Sequence, residues 1–179
     1  MGEVARLFDA SHVGLLAIRG ADRHSFLHNF CTNDIKGLAA GDHCEAFIPD
    51  VTGHVLGHVF VVVEPETLWL HTVGSPVADL CEHLSRYVIT EDVTLEDVSA
   101  SCCRWLVCSE SPEAAGVCAE AMCRGNETVV AVRALEWFAE PTRLVIAADG
   151  LTEELVLAAV AAGAERGTSG ELEVLRIAS

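Results

Sequence analysis

The sequence is short of basic residues and of long apolar runs, and each shortage closes off a class of function. Eleven Lys and Arg stand against twenty-seven Asp and Glu, a formal charge of −16. Such a surface repels a phosphate backbone instead of releasing its counterions, so nucleic acid is not expected as a partner. The acids are spread along the chain from Glu3 to Glu173 and read as a solvated face. Apolar runs such as Val59 to Val63 fall far short of the ~20 residues that a membrane span needs, so no membrane partner is expected. The cysteines, at positions 31, 44, 81, 102, 103, 108, 118 and 123, contain no C-x-x-C spacing. That argues against a zinc site and for reduced, buried thiols. The chain also has no G-x-G-x-x-G, no P-loop and no G-x-S-x-G, which leaves nucleotide-dependent and serine-hydrolase chemistry without support. Its opening, MGEVARLFDA, puts Glu3, Arg6 and Asp9 where an export signal needs an apolar stretch, and a cytoplasmic location is the expectation.

What is present favours a folded domain. Hydrophobic residues make up 51% of 179, and mean hydropathy is +0.35. One domain or two small packed lobes of this length would bury roughly 70% of the extended chain's surface. Val13 to Arg19 reads as a buried strand closed by Gly20, and Asp22 as the N-cap of a short helix carrying Phe26, Leu27 and Phe30. Strand patterns recur at His43 to Ile48, His54 to Val63 and Thr67 to Thr72, joined by the turn chemistry of Pro49 to Gly53 and Glu64 to Glu66. Ser75-Pro76 opens a helix in which Val77, Leu80, Cys81 and Leu84 share a side, ending near Tyr87. The second half predicts strands at Val93 to Val98, Arg104 to Cys108, Thr128 to Ala134 and Thr142 to Ala147. Helices are predicted from Ser111-Pro112 to Met122 and from Leu151 to Ala162. The expectation is an α+β fold of two intertwined lobes, approximately 1–50 and 51–179, with antiparallel sheets, packed helices and ferredoxin-like β-α-β-β-α-β order in the later part.

The stretch GADRHSFLHNFCTNDIKGLAAG, Gly20 to Gly41, carries the most specific signal in the chain. Gly20, Asp22, Arg23, Phe26, Leu27, Thr32, Asn33, Asp34 and Ile35 match G-x-D-R-x-x-F-L-x-x-x-x-T-N-D-I, and Ala46 to Leu56 supplies the strand, turn and strand expected downstream. In these features the chain resembles the folate-binding family of the glycine-cleavage T-protein, an aminomethyltransferase. It looks closest to the YgfZ-type folate-binding proteins that support iron-sulfur enzymes. The resemblance is strong over about the first sixty residues and weak beyond, where Leu172 to Ile177 looks like the family's closing helix. It implies a tetrahydrofolate pocket, with reduced folate as ligand and Asp22, Arg23, Asn33, Asp34, His54, His58 and Tyr87 as candidate contacts.

Two departures qualify that implication. The family's paired aspartates fall on Gly57 and His58, which removes a carboxylate suited to proton chemistry and leaves His58 as the one candidate catalytic group. After Arg176-Ile177 the family continues with a glutamate suited to pterin N–H groups and with a small C-terminal barrel, whereas here Ala178 and Ser179 follow. The resemblance thus implies a tetrahydrofolate-binding accessory protein without aminomethyltransferase activity. One alternative is a docking lobe whose missing C-terminal region comes from a protein partner. Another is a one-carbon transferase with an altered site.

Structural readings stand beside the functional ones. Asp22 and Arg23 read equally as a helix cap with its neighbouring cation, and Asn33-Asp34 as a turn. His54 and His58 share a strand face by two-residue periodicity, as polar hairpin residues or as metal ligands should a third approach; no metal is assigned. His24 and His28 read as surface or capping residues, and Cys31 as a buried thiol. Tyr87 reads as a half-buried phenol able to stack on a ring. Trp69, Trp105 and Trp137 read as core.

Overall fold

The computed structural model describes residues 4–72, 76–125, 129–135, 138, 140–148 and 152–172. In chain order the elements are β1 (Arg6–Asp9), β2 (Leu15–Arg19), α1 (Arg23–His28), β3 (His43–Pro49), β4 (Val55–Val63), β5 (Thr67–Thr72) and α2 (Val77–Ser85). They continue with β6 (Thr94–Asp97), β7 (Cys102–Cys108), α3 (Pro112–Cys123), β8 (Val129–Leu135), β9 (Thr142–Ala148), α4 (Thr152–Ala161) and β10 (Glu165–Arg166). A helical turn at 169–172 follows. No helix among the described residues is long and apolar enough to cross a membrane.

The chain divides into two units, one of Val13–Ser99 and one of Met1–His12 with Ala100–Ser179. The division anticipated at residue 50 therefore falls inside the first of these, at the turn between β3 and β4. A sequence cannot announce that boundary, because a tight hairpin turn and an interdomain turn use the same Pro, Asp and Gly chemistry.

The Val13–Ser99 unit is a five-stranded sheet in the order β3-β4-β5-β2-β6, antiparallel at every pairing. One face carries Leu16, Ile18, Ala46, Ile48, Val59, Val61, Leu68 and Leu70, which pack with Phe26 and Leu27 of α1 and Leu80 and Leu84 of α2 into a single core. The alternation that puts them there is the period-two pattern of β-branched and aliphatic residues in β3, β4 and β5. The turn after β2 needs glycine. Gly20 has φ +108°, and a Cβ there would lie 2.0 Å from the carbonyl oxygen of Asp92. Asp22 occupies the N-cap position of α1, but its side chain makes no cap hydrogen bond. Its Oδ2 accepts instead from Asp92 N at 2.9 Å, while Asp92 Oδ2 accepts from Ala21 N at 3.1 Å. The long-range partner outcompetes the local one and ties the helix start to the loop before β6.

The other unit has sheet order β10-β1-β7-β9-β8. Its β7-α3-β8-β9-α4 succession follows the anticipated strands and helices, and β10 completes the ferredoxin-like β-α-β-β-α-β order, with β1 inserted between the last strand and the first. Ser111 caps α3 by accepting from Ala114 N, and Pro112 sits in the first turn, where its missing N–H costs nothing. Leu7, Trp105, Val107 and Val145 of the sheet form the core with Ala115, Cys118 and Met122 of α3 and Leu155, Val156 and Ala159 of α4. Arg104, fully buried, donates from its guanidinium to the carbonyls of Ala10, Cys102 and Ser11, and its own N–H donates to Ser11 Oγ. Trp137 and residues 173–177 lie outside the described residues, as do Thr128 and Leu151 at the edges of predicted elements. All eight cysteines are free thiols.

Candidate functional site

The hairpin of β3 and β4 organises the most chemically varied surface of the Val13–Ser99 unit. Its turn is built by Asp50, whose Oδ1 accepts from Thr52 N at 2.8 Å, Thr52 Oγ1 at 2.6 Å and His54 N at 3.0 Å. Gly53, with φ +88°, closes the turn by donating to Asp50 O at 3.0 Å. Donors converging on one carboxylate favour its charged form, and the Thr52 hydroxyl above all holds Asp50 down at about 2. The turn sets the register: Pro49 faces Val55, a bulge follows, and then Ile48 faces Gly57 and Phe47 faces His58. Successive residues alternate between faces, so Gly57 and His58 part company. Gly57 is buried, and a Cβ there would meet Leu80 Cδ1 at 3.2 Å. His58 points to the opposite face.

On that face His58 is held on three sides. Its Nε2 lies 2.5 Å from Oε1 of Glu45, its ring stacks on Phe47 at 4.7 Å between centroids and 25° between planes, and Phe60 meets it tilted at 5.2 Å. Each aromatic contact contributes about 0.5–1.5 kcal/mol. The Thr32-Asn33-Asp34 segment docks on the same strand. Thr32 N donates to Phe47 O at 3.0 Å, Phe47 N donates to Thr32 Oγ1 at 3.0 Å, and Asn33 Nδ2 donates to Glu45 O at 2.9 Å. Asp34 accepts from Gly37 N at 3.2 Å and lies 3.3 Å from His28 Nδ1. The turn motif and the histidine are thereby brought to one strand.

The other candidate residues are engaged elsewhere. Arg23 donates to Gly20 O at 2.8 Å and to Pro65 O, pinning α1 to the β4–β5 turn. His54 is 85% exposed and belongs to the hairpin turn, 3.7 Å from Asp50 Oδ2 and 2.8 Å from Thr52 Oγ1. The two histidines therefore have separate carboxylate partners, and no group of three metal-ligating side chains gathers among the described residues. Tyr87 follows α2, its ring tilted at 38° to Phe30 with centroids 4.7 Å apart and edge-on to His83 at 5.3 Å. Cys31 and Cys44 both pack at the margin of the core. Burial raises the Cys31 thiol and pushes Cys44 up to about 11, so neither is an activated nucleophile. Sequence reasoning missed Glu45, Phe47 and Phe60. The hairpin register counted outward from Gly53 was the signal that could have found them.

No family model matches the chain. Among curated proteins, the chloroplastic "putative transferase" of Arabidopsis thaliana is 25% identical over 96 residues, 53% of this chain and 22% of that one. Among solved structures, aminomethyltransferase T of the glycine cleavage system from Bartonella henselae superposes with a TM-score of 0.80 and 17% identity, covering 97% of this chain and 50% of that one. A chain of the heterotetrameric sarcosine oxidase from Corynebacterium sp. U-96 gives a TM-score of 0.53 at 17% identity, covering 94% of this chain and 90% of that one. The chain thus spans about half the length of the aminomethyltransferase and about a fifth of the plant protein. With its two antiparallel-rich sheets and packed helices, the chain has the α+β fold of glycine-cleavage aminomethyltransferase T, over about half of that protein's length.

Proposed function

We propose that this chain binds a reduced folate, tetrahydrofolate or a derivative, on the outer face of the β3–β4 hairpin, and that it does so as an accessory protein and not as an aminomethyltransferase. The resemblance of the Gly20 to Ile35 motif to the folate-binding family, together with the shared fold over 97% of the chain, supports the ligand class. Position 57 supports the second half of the reading: it is a buried glycine whose β-carbon would run into Leu80, so no carboxylate is offered from it. Asn33, Asp34, His54 and His58 are the contacts in this reading. Asp22, Arg23 and Tyr87 hold the scaffold around them.

Anaerobic isothermal titration with tetrahydrofolate tests the claim. Saturable heat at micromolar ligand is expected; its absence at high micromolar concentration rejects folate binding. An aminomethyl-transfer assay with the other glycine-cleavage proteins should give no turnover above background.

A second reading is a docking lobe completed by a partner chain. It is favoured by exposed Phe47, Val51, Val55 and Leu56 around the hairpin. A strictly monomeric species in sedimentation, with no copurifying partner, argues against it.

A further inference from the structure

The pair formed by Glu45 and His58 has an arrangement that a purely structural contact would not require. A carboxylate that is ionised can only accept hydrogen bonds, so its 2.5 Å approach to Nε2 requires that nitrogen to carry the proton. The other ring nitrogen, Nδ1, has no hydrogen-bond partner among the described residues. The ring is held in its orientation, because Phe47 lies flat against one side at 4.7 Å and Phe60 is tilted against it at 5.2 Å. Glu45 itself is steadied through its own strand, since Asn33 Nδ2 binds the Glu45 carbonyl at 2.9 Å. The side chains remain reachable from solvent, His58 at 24% and Glu45 at 48% exposed.

We infer that Glu45 is a positioning residue that fixes His58 in the Nε2–H tautomer and thereby presents Nδ1 as a hydrogen-bond acceptor toward a ligand N–H. No covalent bond is made or broken: the ligand N–H donates to Nδ1 while Nε2–H donates to the Glu45 carboxylate on the far side of the ring. The carboxylate comes from the strand next to the histidine's and acts through the ring. The identity of the ligand rests on the folate reading; the tautomer does not.

Long-range proton–nitrogen correlation spectra of the full chain, labelled with 15N-histidine, separate the two. In the free protein His58 should show one tautomer, protonated on Nε2. Glu45→Gln and Glu45→Ala should convert it to a mixture, while Glu82→Gln, at an exposed site on α2, should leave it unchanged. Addition of tetrahydrofolate should move the Nδ1 resonance upfield, the direction of hydrogen-bond acceptance, and this response should be lost in Glu45→Ala. A free protein protonated on Nδ1, or tautomer populations indifferent to Glu45, overturns the inference, as does calorimetric binding that leaves Nδ1 unmoved. Absence of calorimetric heat together with a Glu45-dependent tautomer would reject folate as the ligand and retain the positioning role.

Discussion

Placing an aspartate at position 57, where the resembling family carries one, should damage this protein instead of equipping it. The β-carbon of any residue at 57 would sit 3.2 Å from Leu80 Cδ1 and 3.4 Å from Cδ2, contacts that a flexible leucine tip relieves by a few tenths of an ångström. Gly57→Ala is then close to neutral, because a strand glycine replaced by alanine regains about 0.5–1 kcal/mol of chain entropy, which offsets the crowding. Gly57→Asp adds a carboxylate on the side of the sheet occupied by Val59, Val61, Leu80 and Leu84. An uncompensated buried charge costs about 3–5 kcal/mol, and a protonated carboxyl without partners still costs about 1–3 kcal/mol. The expected loss is roughly 3 kcal/mol out of a total of about 5–15. Urea unfolding of wild type, Gly57→Ala and Gly57→Asp measures it, with Gly57→Ala within about 1 kcal/mol of wild type. A Gly57→Asp midpoint indistinguishable from that of Gly57→Ala would refute the inward orientation of residue 57.

Three further outcomes follow from the same geometry. Arg104→Met should lower stability by about 2–4 kcal/mol in urea unfolding, since the carbonyls of Ala10, Ser11 and Cys102 lose their buried donor. Asp50 is held at about 2, below its unfolded value, so its stabilising effect is complete above the ordinary carboxylate range and disappears as pH falls toward 2. Carboxyl NMR titration should show the low midpoint, and Thr52→Val should raise it. Cys44, raised to about 11 by burial, should react with iodoacetamide far more slowly at pH 8 than a free thiol does, accelerating only in strong alkali.

How much of this was legible in the sequence depends on where the information resides. β5 was read at its observed limits and β3, β4, α2, α3 and β9 to within a residue or two, because period-two aliphatic runs and Pro-initiated helices are local signals. β1 and β10 were not anticipated. They have four and two residues and exist only through pairing with each other and with β7, more than ninety positions from β1. Asp22 was correctly placed at the start of α1, yet its side chain serves Asp92, a partner no local rule predicts. The candidate site was legible as residue types and illegible as pairs. His58 stood out, whereas Glu45 looked like one acid among many until the hairpin register set it beside the imidazole ring.

The discontinuity of the unit formed by Met1–His12 and Ala100–Ser179 has a consequence for the order in which the protein can be made. β1 is synthesised before the inserted segment, but its sheet neighbours β7 and β10 both follow residue 99. The Val13–Ser99 segment, whose own ends meet where Val98 N donates to Leu15 O at 3.0 Å, holds all its strand partners once residue 99 has left the ribosome. An N-terminal strand must therefore wait, unpaired, while an inserted module completes itself. A nascent chain stalled once residue 99 has cleared the ribosome should already resist protease over 13–99 while residues 1–12 are still cleaved.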